Sequence, residues 1–202
     1  MRDNMKQGPG VQWWPSNTRY EGMWRNNRAN GRGKYYHADG DVFDGEWVND
    51  RANGQGTYYY GDGRGTYVGS WKEDMQDGMG QENWSNGSSY VGMFRCGIKH
   101  GLGKIVWADK SEYHGDWDND VIEGRGTYVW PDGHCYNGEW RNNNMHGKGI
   151  YKHASGYVYT GDYFDDQKHG YGEYCWPDGA KYIGPWFEGK QHGEGTIIKD
   201  KV

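Results

Sequence analysis

The sequence has little with which to build a conventional core. Hydrophobic residues make up 34% of its 202 residues, and the mean hydropathy is -1.18. The longest apolar run, Ile105-Val106-Trp107-Ala108, is far short of the roughly 20 residues that cross a bilayer as a helix. Met1 to Gly10 lacks the apolar stretch of a secretory signal. There is no excess of basic residues: 23 Lys and Arg stand against 28 Asp and Glu, a net charge of -5. That argues against nucleic acid, which selects a basic stripe, and against simple electrostatic attraction to anionic lipid. Cysteine is scarce and odd in number, with Cys96, Cys135 and Cys175 scattered along the chain, so a disulfide framework is not expected and a reducing compartment fits. Apolar residues recur nowhere at helical spacing, and the glycines would each cost a helix about 1 kcal/mol.

What the chain has instead is glycine and large rings: 36 Gly, 12 Trp and 18 Tyr. They are arranged periodically. Aromatic-x-Gly-x-aromatic recurs around Gly22, Gly45, Gly69, Gly92, Gly115, Gly138, Gly161 and Gly184. Nine residues after each of these, Gly-x-Gly begins at Gly31, Gly54, Gly78, Gly101, Gly124, Gly147, Gly170 and Gly193. The period is 23 residues, with one step of 24 absorbed in Gly61-Asp62-Gly63-Arg64-Gly65. A fixed period of this length means stacked units, each resting on its neighbours.

Within a unit the rings alternate at period two, the signature of a strand. Tyr136, Gly138 and Trp140 share one face, with Asn137 and Glu139 on the other. After a polar connection, Gly147, Gly149 and Tyr151 again share a parity, and a turn such as Pro131-Asp132-Gly133 sends the chain back. The expected fold is all-β: an elongated, twisted single-layer antiparallel sheet of stacked 23-residue β-hairpins with one aromatic groove. Counting a lone opening strand, it has 17 strands. The expected domain organisation is an N-terminal segment 1–10, a repeat domain 11–199 and a tail 200–202. The repeat domain comprises a half repeat 11–19 and eight repeats starting near residues 20, 43, 67, 90, 113, 136, 159 and 182.

The pattern Tyr-x-Gly-x-Trp, a polar turn, His-Gly-x-Gly and then Asp-Gly before the next Tyr resembles the MORN repeat. Tyr136-Asn137-Gly138-Glu139-Trp140 followed by His146-Gly147-Lys148-Gly149 matches it throughout, and the resemblance runs from about residue 11 to 199. The histidine stands at His100, His146, His169 and His192 but is replaced by Asn30, Asn53, Asp77 and Glu123 elsewhere; Phe94 and Tyr163 replace Trp, and Asn17 and Lys110 replace the turn glycine. The resemblance implies a single-layer sheet whose groove holds helical or extended partner segments. It also implies a scaffold role in cilia or flagella, in cytoskeletal structures or at membrane contact sites.

A structural rather than catalytic reading follows. Histidines in successive units lie about 10 Å apart, too far to share a metal whose bonds are about 2.0–2.1 Å, so no metal and no cofactor are expected. Every Gly-x-Gly leads into a strand, whereas a phosphate loop leads into a helix. Asp116, Asp118, Asp120, Glu123, Asp162, Asp165 and Asp166 read as solvated turns. The expected partner-binding groove comprises Trp24, Trp47, Trp71, Phe94, Trp117, Trp140, Tyr163 and Trp186, with Tyr113, Tyr136, Tyr159, Trp107, Trp130 and Trp176. The glycines Gly22, Gly45, Gly69, Gly92, Gly115, Gly138, Gly161 and Gly184 are expected to be structural. An apolar face with no second layer of its own marks a binding surface. The expected function is thus a non-enzymatic scaffold for other proteins, in a cytoplasmic cytoskeletal setting such as the axoneme and its radial spokes. The alternative is a peripheral membrane, phospholipid-associated or lipid-kinase-regulating module. The end strand leaves a homodimer open.

Overall fold

The computed structural model describes residues 5–199; the expectations for residues 1–4 and for the tail 200–202 lie outside the described residues. Those described form eighteen β-strands and no helix. Every strand pairing is antiparallel. The chain divides into two compact units, one ending at Lys99 and one beginning at His100, where the sequence reads as one domain. In the first unit the strands pair in chain order from Gly8–Trp13 to Ser89–Arg95. In the second they do so from Ile98–Val106, all but the first two residues of which belong to it, onward to Lys181–Phe187.

Three local devices build each repeat. The first is the tight turn inside the hairpin. Cys135–Arg141 turns into Asn144–Lys152 through Asn142 and Asn143, whose φ angles are 50° and 67°. Two successive left-handed residues make the turn that matches strand twist. Asn and Asp tolerate that conformation best among residues with a Cβ. Asn26-Asn27, Asn49-Asp50, Asn119-Asp120 and Asp165-Asp166 repeat it.

The second device is a bulge. Gly138 faces Gly149, but the next pair is Glu139 with His146, which leaves Gly147 and Lys148 out of register. Gly147 has φ 56°, the left-handed residue that such bulges use. The first glycine of the Gly-x-Gly at Gly31, Gly54, Gly78, Gly124, Gly147 and Gly170 therefore serves a bulge rather than a regular strand interior, a correction to the alternating pattern expected from the sequence. At three repeats the acidic residue preceding the ring position, Glu46, Asp116 or Asp162, caps the bulge. Asp116 Oδ2 accepts from the Arg125 N–H at 2.8 Å, and Asp162 Oδ2 from the Tyr171 N–H at 3.0 Å.

The third device is the turn between hairpins, closed by the Trp130 N–H donating to the His134 carbonyl at 3.0 Å, with Gly133 left-handed. Asn17 and Lys110, which stand in the glycine's place, take the same conformation.

The strand count differs from 17 because the final strand is split into Lys190–Gln191 and Thr196–Ile198. Its partner strand carries Pro185, whose nitrogen has no hydrogen to donate.

Candidate functional site: the aromatic face

The rings expected to grip a partner are mostly the core. Tyr113, Tyr136 and Tyr159 are 0% exposed. Trp24, Trp47, Phe94, Trp117, Trp140, Tyr163 and Trp186 are all buried, and Trp71 is half-buried. They bury one another in a herringbone. Tyr136 meets Trp140 edge-on at 5.1 Å and Tyr163 at 5.0 Å; Tyr159 meets Tyr163 at 5.3 Å and Trp186 at 5.1 Å. Edge-to-face contact is the favoured geometry of such pairs. A single layer suffices as a core because each leading Tyr lies flat across two glycines. A Cβ at Gly149 would sit 2.3 Å from the Tyr136 ring, and one at Gly138 would sit 2.6 Å from the Cα of Gly149. The ring therefore rests in a hollow made by its own hairpin.

Polar ends are satisfied inside this core. Each leading Tyr donates its hydroxyl to the carbonyl three residues on, as Tyr136 does to Glu139 at 2.9 Å and Tyr20 to Met23 at 3.0 Å. Burial pushes the Tyr20 hydroxyl up to about 12, with the Asp50 carboxylate adding to it. Each core Trp reaches backwards: Trp47 donates to Gly33 O at 3.0 Å, Trp117 to Gly103 O at 3.2 Å and Trp186 to Gly172 O at 3.4 Å.

The accessible rings form a second row beside the first. In the unit beginning at His100 this row runs Trp107–Tyr128 (5.3 Å), Tyr128–Trp130 (4.5 Å), Trp130–Tyr151 (5.8 Å), Tyr151–Tyr157 (6.3 Å), Tyr157–Tyr174 (5.2 Å) and Tyr174–Trp176 (4.9 Å). All seven rings are half-buried. A shorter row, Trp14, Tyr35, His37, Tyr58 and Tyr60, lines the unit ending at Lys99. Of the expected groove residues, Trp107, Trp130 and Trp176, with the half-buried Trp71, are thus the ones left open. The second-strand tyrosines were not among the expected site residues, although their period-two alignment with Gly-x-Gly was on view. Nothing in the repeat pattern pointed to Tyr157, which stands where Thr18, Ser88 and Ser111 stand in other repeats.

Each row borders a hollow. One, about 410 Å3, is lined by Trp130, His134, Tyr151, Tyr157, Asp166 and Lys168 among others. The other, about 320 Å3, lies in the unit ending at Lys99 between Tyr35, His37, Tyr58 and Trp71. Tyr151 shares a hydrogen bond of 2.8 Å with His134 Nδ1, and burial pushes its hydroxyl up to about 12.

The polar residues singled out from the sequence hold the fold. His146 and His169 both pack on Phe164, at 5.2 and 5.7 Å, and His100 pairs with Asp118 at 3.1 Å. Asp166, expected as a solvated turn, reaches the preceding repeat: its N–H donates to Met145 O at 3.0 Å and its Oδ1 accepts from Met145 N–H at 2.7 Å. Asp50 grips Ala29 in the same way. Cys175 donates to Glu173 Oε1 at 3.0 Å, and burial, helped by that carboxylate, pushes its thiol up. That is the wrong direction for a nucleophile. Among the described residues no group of three or more His, Cys, Asp or Glu is placed to hold a metal.

The MORN repeat model matches residues 1–19, 20–42, 43–63, 67–89, 90–112, 113–135, 136–156, 159–181 and 182–199. The chain belongs to the MORN-repeat family. The opening half repeat thus counts as a ninth match. No curated protein matches the chain. Among solved structures, this MORN-repeat chain is similar to the TCP domain of Drosophila melanogaster SAS-4 (dCPAP), determined in complex with a proline-rich motif of Ana2 (dSTIL). That likeness is 18% identical with a TM-score of 0.44, over 72% of this chain and 78% of that one. It is also similar to the TCP10 domain of Danio rerio CPAP, 17% identical with a TM-score of 0.43, over 95% and 99% of the two chains. Likenesses at this level do not say what the MORN repeats bind.

Proposed function

We propose that the chain is a non-catalytic protein-interaction module that holds an extended or helical partner segment along its outer ring row. The observation that carries this reading is the unbroken, half-buried line from Trp107 to Trp176, beside a core that needs no covering layer. The inner rings already satisfy the fold. The outer rings therefore offer flat, rigid, amphipathic surface, the kind that dominates protein interfaces. A segment lying along them meets rings at about the spacing of alternate strands, roughly 10 Å per repeat. By its family, the setting is a cytoskeletal assembly such as the axoneme and its radial spokes, with other proteins of that assembly as partners.

Site-specific photocrosslinking tests the reading. A benzophenone side chain at Trp130 or Trp176 is expected to capture discrete polypeptides. The same group at Asn137, on the opposite face, is expected to capture none of them. Identical capture from both faces, or none from the ring face, would overturn it.

A further inference from the structure

One lysine sits in the ring core without a counter-charge. Lys168 pairs across the hairpin with Tyr163 and so faces the rings. Its ammonium lies 5.0 Å from the Tyr174 ring, 5.3 Å from Tyr159 and Trp186 and 5.8 Å from Tyr157. Among the described residues no carboxylate forms an ion pair with it. Ring faces attract a cation but do not replace a counter-ion. An ammonium withdrawn from water is costly until an anion meets it. Burial accordingly lowers the Lys168 pKa.

The repeats supply their own comparison. Three repeats earlier the same position is Lys99, also ringed by Trp84, Tyr90 and Phe94 at 5.3 to 5.9 Å. There the chain provides a carboxylate: Glu82 Oε2 lies 3.5 Å from the Lys99 ammonium, with both side chains largely buried. The residue in Glu82's place relative to Lys168 is Tyr151. A second route to a carboxylate is missing too. The turn residue that bonds this position from the next repeat is Asp50 on Ala29, Asp74 on Ala52 and Asp166 on Met145. On Lys168 it is Gly189, whose N–H donates to Lys168 O at 2.9 Å. A Cβ built on Gly189 meets nothing within 4 Å. Lys168 thus lines an open hollow in which both of the repeat's usual carboxylate positions for it are empty of a carboxylate, and whose one carboxylate, Asp166, is engaged by the Met145 N–H rather than ion-paired with Lys168.

We propose that Lys168 is the anchor point of the groove, receiving an aspartate or glutamate side chain of the partner segment while that segment's apolar residues lie on Tyr151, Tyr157 and Tyr174. The anchor rests on the interaction-module reading and adds to it the chemistry of the bound segment. A charge-assisted hydrogen bond formed there is short-range and shielded by rings, so it fixes register as well as affinity.

The test uses the full chain to select binders from a displayed library of random peptides. The recovered peptides are then measured against three variants. Lys168→Met keeps the aliphatic stem and removes the charge. Gly189→Asp supplies the missing carboxylate internally, at a φ that Asp50 and Asp74 already adopt. Tyr174→Ala removes a ring of the groove. The expected binders share one acidic residue. Changing it to its amide, or using Lys168→Met, weakens binding about tenfold or more, and the two changes together weaken it no further. Gly189→Asp weakens it similarly while the protein stays folded. Peptides that need Tyr174 but ignore Lys168→Met and Gly189→Asp would overturn the anchor and leave the groove intact. Failure to recover any peptide that depends on Tyr174 would overturn the anchor and the groove together.

Discussion

Trp140 donates its indole N–H to the carbonyl oxygen of Gly126, fourteen residues earlier and in the preceding repeat, at 3.1 Å. The bond ties two hairpins together through a side chain, in addition to the ladder that pairs their strands. A buried carbonyl left without this donor loses a hydrogen bond in surroundings where water does not replace it. The chain tolerates the loss twice, at Phe94 and Tyr163, where no such donor to the earlier glycine exists.

Trp140→Phe is therefore expected to cost about 1–3 kcal/mol, the range for a buried acceptor left unsatisfied. Trp140→Ala is expected to cost about 3–5 kcal/mol, because it also empties the contact with Tyr136. Urea unfolding of the two variants measures this. Equal losses would mean that the ring contributes nothing beyond the hydrogen bond, and a negligible loss in Trp140→Phe would mean that the hydrogen bond contributes nothing beyond ring volume.

Why the sequence showed the hairpin but not the accessible surface follows from these same residues. Period-two spacing of Tyr136, Gly138 and Trp140 is a local property, so the strands, their common face and the structural glycines could be read directly. Burial is not local. Whether Trp140 faces solvent depends on Tyr113 and Tyr136 closing over it from two strands. In a single layer that closure arises only because the glycines let the tyrosines lie flat. The bulge at Gly147 was likewise hidden, since a glycine inside a strand and a glycine at a bulge look alike in sequence. The turn aspartates concealed more. Asp166 looks like any charged turn residue, and its bond to Met145 spans twenty-one positions.

That turn bond makes a separable prediction. Asp166→Gly keeps the left-handed turn and the main-chain N–H but removes the acceptor for Met145 N–H. It is expected to cost about 1 kcal/mol, a loss the chain already accepts at Gly97 and Gly189. Asp166→Ala also places an unfavourable residue at φ 65°, adding about 1 kcal/mol more. The difference between their unfolding midpoints separates the two effects. If Asp166→Ala equals Asp166→Gly, the turn is not held in that conformation.

The buried tyrosines set the response to alkali. Tyr20 and Tyr151 titrate near 12 in the fold, and burial pushes Tyr67, Tyr113, Tyr136 and Tyr159 up as well. An unfolded tyrosine titrates near 10. The fold thus favours the protonated form. Stability from these groups is fully present below about pH 10 and is lost as pH rises through about 12. The tyrosinate absorbance contributed by the buried rings, beyond that of exposed rings such as Tyr59 and Tyr171, is expected to rise together with the loss of the sheet's circular dichroism in that window. Ionisation of all eighteen tyrosines near pH 10 with the sheet intact would contradict the buried hydroxyls.

Two glycine substitutions separate conformational demand from space. Gly133 has φ 87°, and a Cβ there meets nothing within 4 Å. Gly133→Ala therefore carries only backbone strain, about 1–2 kcal/mol, and Lys110 and Asn17 show the same turn surviving a side chain. Gly149 has no such constraint on φ, yet its Cβ would lie 2.3 Å from the Tyr136 ring, inside any real contact distance. Tyr136 cannot retreat, because Trp140 and Tyr163 hold it on either side and its hydroxyl is bonded to Glu139. Gly149→Ala is expected to cost about 1–3 kcal/mol or more through overpacking. It is also expected to raise amide exchange in Cys135–Arg141 and Asn144–Lys152, whereas Gly133→Ala leaves exchange in those strands unchanged. The two variants exchanging alike would mean that the ring does not rest on the glycine, and that the single layer is held together by its backbone ladder alone.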